Sequence, residues 1–124
     1  MLLARELTEL VIGLAIEVYR LTGPGMLESA YEGCLCNELE QAGIAFQRQV
    51  GIPVAYKGVL FDEGFRTDIL VDRELSIEIK AVANILPAHD AQALTYFRMS
   101  GLRLGLLFNF RARLLKDGLW RFVV

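Results

Sequence analysis

Of the 124 residues only two are cysteine and only one is histidine. Cys34 and Cys36 stand two apart, which on a helix points them to different faces, so neither a mutual disulfide nor a shared metal is expected. No second Cys or His cluster exists to complete a zinc set. Two small, semi-buried, reduced thiols suit a cytosolic protein better than a secreted disulfide framework. A basic excess is also missing. The formal net charge is −2 and the isoelectric point about 5.4, which excludes a protein that coats nucleic acid by bulk charge and leaves any such contact to a local patch. Long apolar runs are absent as well. The longest near the N-terminus covers residues 10–16 and is broken by Gly13, well short of the about 20 residues a bilayer span needs. Glu6 and Glu9 precede it, and no basic region with a cleavage site is present, so no signal peptide is expected. The simplest reading is a soluble cytoplasmic protein that makes no membrane contact. There is no repeat, low-complexity tract or linker.

What is present is a well-populated core. Hydrophobic residues make up 54% of the chain, which argues against disorder, and the length fits one domain spanning 1–124. Apolar positions 3, 7, 10, 11, 14, 15 and 18 have helical spacing and predict a helix over 3–21, ended by the Thr22-Gly23-Pro24-Gly25 cluster. A second helix is expected over 27–42, with Gly43 as its C-terminal cap. The period then shortens. Residues 46–56 read as a strand ending at Lys57-Gly58, and 59–61 with 65–71 as the returning strand, interrupted at 62–64. Residues 75–82 alternate as a third strand after an Asp72-Arg73 turn. A helix over 88–100, a doubly buried strand over 104–108, and a closing Asp-Gly hairpin of 114–115 with 119–123 complete the order ααβββαβββ. This is an α/β (α+β) chain with a mixed central sheet flanked by helices.

Strand periodicity places Glu78 and Lys80 on one face of the 75–82 strand, opposite Ile77 and Ile79. Asp68 lies on the preceding strand. A tight turn at Asp72-Arg73 sets Asp68 against Ile77, beside Glu78, and a one-residue register change brings it against Glu78 itself. Neighbouring carboxylates repel unless a cation or proton relieves them, and hard oxygen ligands suit Mg²⁺ or Mn²⁺. A nearby lysine can position or activate a water, the minimal equipment for phosphodiester hydrolysis. A solvated polar face holding an ion pair is the plainer account of the same residues.

Five segments add to this pattern. They are Gly25-Met26-Leu27-Glu28-Ser29-Ala30-Tyr31, Phe65-Arg66-Thr67-Asp68-Ile69-Leu70-Val71, Ile77-Glu78-Ile79-Lys80-Ala81-Val82, His89 through Tyr96 with Gln92 between, and Gly105-Leu106-Leu107-Phe108-Asn109-Phe110. In this order they resemble a GxxExxY protein, a small family assigned to the PD-(D/E)XK nuclease superfamily, from about Thr8 to Arg121. The resemblance implies a restriction-endonuclease-like core. It implies that Asp68 and Glu78 bind Mg²⁺ or Mn²⁺ together with the main-chain carbonyl of Ile79, and that Lys80 is the catalytic lysine. Glu28 matches the helix acid that supports the metal or its water shell, and Gln92 the glutamine that places the lysine or the water. Arg111 departs from the pattern, which has glycine after the Asn-Phe pair.

Other motif residues have structural readings. Gly25 begins a helix after a turn. Glu28 and Tyr31 share a helix face as a surface acid beside a half-buried ring. Gln92 and Tyr96 stand at i, i+4. His89 has no nameable catalytic partner and reads as a polar residue in a first helical turn. Asn109 caps a turn. Arginine outnumbers lysine ten to three, which suits bidentate phosphate contacts.

Three functions remain in play. One is a metal-dependent nuclease acting on DNA or RNA. The second is a catalytically inactive nuclease-fold module that binds nucleic acid or a protein partner. The third is a small-molecule hydrolase or structural protein whose Glu78–Lys80 face is only an ion pair. A small domain has limited area for gripping a duplex, and its high apolar fraction is compatible with a homodimer.

Overall fold

A computed structural model of the chain describes residues 4–84 and 87–123, without the side chains of 63, 64, 87–90 and 97. Helix α1 (Ala4–Thr22) and helix α2 (Glu28–Gln41) come first. Leu7, Val11, Ala15 and Val18 form the buried stripe of α1, and Leu35 and Leu39 that of α2, as a period of 3.6 requires. The end of α2 is a Schellman turn. Gly43 takes φ 72°, its amide donates to the Glu40 carbonyl, and the Ile44 amide donates to Leu39, which is the role expected of a glycine at this position.

Five strands follow in one sheet: β1 (Phe46–Tyr56), β2 (Val59–Val71), β3 (Leu75–Lys80), β4 (Leu104–Asn109) and β5 (Leu119–Val123). They lie in the order β1-β2-β3-β4-β5. Only β3 and β4 pair parallel, and the crossover that such a pair needs contains α3 (Pro87–Ser100). Ile69, Val71, Leu75, Ile77, Ile79, Leu106 and Phe108 turn one face of the sheet onto α1 and α2, where all are buried. No described residue of α3 joins that cluster; α3 lies against β1 and β2, with Tyr96 stacked on Phe65 at 4.8 Å. The α+β class and the mixed sheet are those expected.

Three local expectations need correction. The interruption at 62–64 is a bulge within a continuous β2, since pairing shifts between Ile52–Phe65 and Val54–Phe61. Residues 114–115 are not a strand. Leu115 opens a short 3-10 turn, Leu115–Gly118, and β5 pairs with β4. Gly118 is needed there for space, because a Cβ would lie 2.4 Å from the Asn109 carbonyl oxygen. The loop from β2 to β3 has three residues, not two. Val71 pairs with Leu75 and Ile69 with Ile77, which moves the register by one and sets Asp68 level with Glu78. Asp72 and Arg73 take φ 50° and 58° in this turn. Among the described residues no helix is long and apolar enough to cross a membrane.

Candidate active site

The described β2–β3 ladder runs only from Val71–Leu75 to Ile69–Ile77. Beyond it the Asp68 side chain takes over, and its Oδ2 accepts the Ile79 amide at 2.7 Å. In an extended strand the N–H and C=O of one residue point the same way. The Ile79 carbonyl therefore points toward the same gap between β2 and β3.

Glu78 lies beside this contact. Burial is the main cause that lifts its carboxyl to about 8, the Asp68 charge adds to the rise, and the Lys80 charge opposes it. Its Oε1 is buried without a hydrogen-bond partner. A buried oxygen left in this state is costly unless a cation or proton arrives. The two carboxylates thus act on one another, and Lys80 shares the face of Glu78. Next to them, Thr67 and Ser76 join hydroxyls at 2.6 Å, both buried.

The segment after β3 is held from two sides. Glu28, the first residue of α2, accepts the Ala81 amide on Oε2 at 3.3 Å. Asn109, at the end of β4, accepts the Val82 amide at 3.1 Å and donates to its carbonyl at 2.9 Å. Asn109 also accepts the Arg111 amide at 3.2 Å, so it does cap a turn.

Tyr31 differs from the half-buried ring expected. It is fully buried and stacks on Phe110 at 4.4 Å. Its hydroxyl donates to the Gly23 carbonyl and accepts the Met26 amide. This fixes the loop in which Gly25 has φ 131°, and so fixes where α2 starts and where Glu28 stands. Gly25 and Tyr31 are thus the frame that presents Glu28. Gln92 is exposed on α3, without a hydrogen bond to Asp68, Glu78 or Lys80 among the described residues, and Tyr96 packs on Phe65. The side chain of His89 lies outside the described residues. Cys34 and Cys36 are free, and burial lifts the Cys36 thiol to about 11, which keeps it unreactive.

Two residues not anticipated as site residues belong to this constellation. Glu32 is buried in α2. Its Oε2 accepts Arg48 Nε at 2.9 Å and its Oε1 accepts Gln49 Nε2 at 2.7 Å. The same Gln49 nitrogen reaches Asp68 Oδ1 at 3.2 Å. The signal for Glu32 was its place on the buried stripe of α2, three, four and seven residues before Leu35, Cys36 and Leu39.

The residues present fit a small divalent cation, judged by the orphaned Glu78 oxygen beside a second carboxylate. No group of three or more His, Cys, Asp or Glu side chains converges among the described residues, so further ligands would come from main-chain carbonyls and water. A family model described as PD-(D/E)XK nuclease superfamily matches residues 5–122. Nothing among curated proteins or solved structures matches the chain.

Proposed function

The chain belongs to the PD-(D/E)XK nuclease superfamily, and from that premise we propose that it is a metal-dependent phosphodiesterase that cleaves DNA or RNA. The observation that carries this reading is the buried, unpartnered Oε1 of Glu78 next to Asp68. Asp68, Glu78 and the Ile79 carbonyl would hold Mg²⁺ or Mn²⁺. The bound ion would supply an activated water near neutral pH and neutralise charge on the phosphoryl group. Lys80, on the same face, would orient the attacking water or stabilise the phosphate. Glu28 would act through the Ala81 main chain, keeping the end of β3 in place. The Gly25–Tyr31 frame supports a place among the GxxExxY proteins of the superfamily. Two copies meeting through the exposed Tyr56, Val59, Leu60 and Phe61 of the β1–β2 tip would widen the surface offered to nucleic acid.

The test is cleavage of single- and double-stranded DNA and RNA with Mg²⁺ or Mn²⁺. Wild type is compared with Asp68→Ala and Lys80→Ala, each expected to lose at least about 100-fold in rate, the low end for a general acid-base group. Equal rates in all three would end this reading. One observation favours the inactive module instead: no third His, Cys, Asp or Glu side chain joins Asp68 and Glu78 among the described residues. Nucleic-acid binding without turnover, unchanged by EDTA or by Lys80→Ala, would decide for it.

A further inference from the structure

We infer that Gln49 is a positioning residue, which holds the Asp68 carboxylate in the orientation the proposed metal site needs. This rests on the functional reading above for its purpose and on geometry for its substance. Four non-glycine residues among those described have positive φ. Lys57, Asp72 and Arg73 are in hairpin turns. Gln49 alone lies inside a strand, at φ 51°. Residues on either side of it stay in register, Arg48 with Ile69 and Val50 with Thr67, while Gln49 itself has no ladder partner. The position opposite it is Asp68.

A non-glycine residue is held in the left-handed region only where its surroundings over-determine it, and such residues gather at functional sites. Here the holding groups are visible. Arg66 Nη1 donates to the Gln49 carbonyl at 2.8 Å. Glu32 fixes the side chain through Oε1 and is itself fixed by Arg48, whose Nη2 stands 2.9 Å from Oε2. The amide that results is aimed at Asp68 Oδ1. Asp68 is then held at both oxygens, by the Gln49 amide on one and the Ile79 amide on the other. Without the first donor the carboxylate could rotate about its Cβ–Cγ bond and leave the gap that Glu78 shares. Groups that orient metal-binding side chains in this way commonly set affinity.

The decisive variant is Gln49→Gly, made in the full chain. Glycine accepts the positive φ without strain while the amide is lost. A purely structural Gln49 would make this change harmful to folding and silent at Asp68. The inference expects the reverse: a protein that stays folded and melts no lower than Gln49→Ala, which loses the same amide but keeps the strain, and Mn²⁺ binding weakened on the order of 10-fold by calorimetry. The Ile79 amide, which reports Asp68 without any metal, is expected to exchange on the order of 10-fold faster by NMR. Gln49→Ala should show the same two losses without the relief of strain. Unchanged Ile79 exchange in a folded Gln49→Gly protein would overturn the inference, as would faster exchange with unaltered Mn²⁺ affinity, or loss of the folded state. If wild type binds no Mn²⁺, the functional reading fails, and the Ile79 amide still decides whether Gln49 positions Asp68.

Discussion

A carboxyl whose folded-state pKa lies above its unfolded value binds its proton more tightly when folded. Glu78 stands at about 8 against an ordinary 4.5. The contribution of protonated Glu78 is therefore fully present below about pH 4.5 and is lost as the pH rises toward about 8. In metal-free protein the unfolding free energy is expected to fall across that window, by up to about 1.4 kcal/mol per pH unit, and the melting temperature with it. Glu78→Gln should flatten this slope, because an amide keeps the shape without titrating. Equal slopes in both proteins, measured by calorimetry from pH 5 to 8, would refute the account. The alternation of β3 made the shared face of Glu78 and Lys80 legible in the sequence. The burial that gives Glu78 its proton was not, since it depends on Asp68 and on a ladder that stops at Ile69. Glu32 and Gln49 were hidden for different reasons. An acid on a helix reads as solvated, and a strand residue at positive φ breaks the period by which strands are read.

At the scale of elements, small contacts decide where the site residues stand. The Tyr31 hydroxyl joins the Gly23 carbonyl to the Met26 amide. Tyr31→Phe keeps the ring on Phe110 but leaves these groups unsatisfied, at a cost of about 1–3 kcal/mol. The expected result is a lower urea midpoint with an unchanged slope. Gly118 is a second such point. An added Cβ would meet the Asn109 carbonyl at 2.4 Å and the Ala112 Cβ at 2.8 Å. Gly118→Ala is expected to cost about 1–3 kcal/mol and to loosen the grip of Asn109 on Val82, visible as faster exchange of the Val82 amide. Helices α1 and α2 were legible because their apolar spacing is unambiguous. The β2–β3 register was not, because a two- and a three-residue loop use the same Asp-Arg pair and differ only in whether Glu74 joins the turn. Asp117-Gly118 resembles a hairpin turn in sequence, yet Gly118 serves close approach to another strand, a requirement that no local pattern encodes.

For the whole molecule, folding and ligand binding meet at the same carboxylates. The fold accepts an orphaned, buried oxygen of the half-buried Glu78 on one face of the sheet while α1 and α2 cover the opposite face. A ligand that binds only the folded state stabilises it by mass action, about 2.7 kcal/mol at a concentration one hundred times its Kd. Mn²⁺ or Mg²⁺ is therefore expected to raise the melting temperature of the wild type. The size of the rise should depend on pH. Binding must displace the proton that Glu78 holds below about 8, so affinity increases as the pH approaches that value. The metal-induced rise should accordingly be larger at pH 8 than at pH 6, the reverse of the metal-free trend. In Asp68→Ala both the rise and its pH dependence should vanish, as the remaining carboxylate cannot hold the ion alone. A rise of equal size at both pH values, or one that survives Asp68→Ala, would place the cation elsewhere on the protein. Ca²⁺ provides a further discrimination: it prefers six to eight oxygens at longer distances than Mg²⁺. With few carboxylates in the gap between β2 and β3, it should stabilise the fold less than Mn²⁺ at equal concentration.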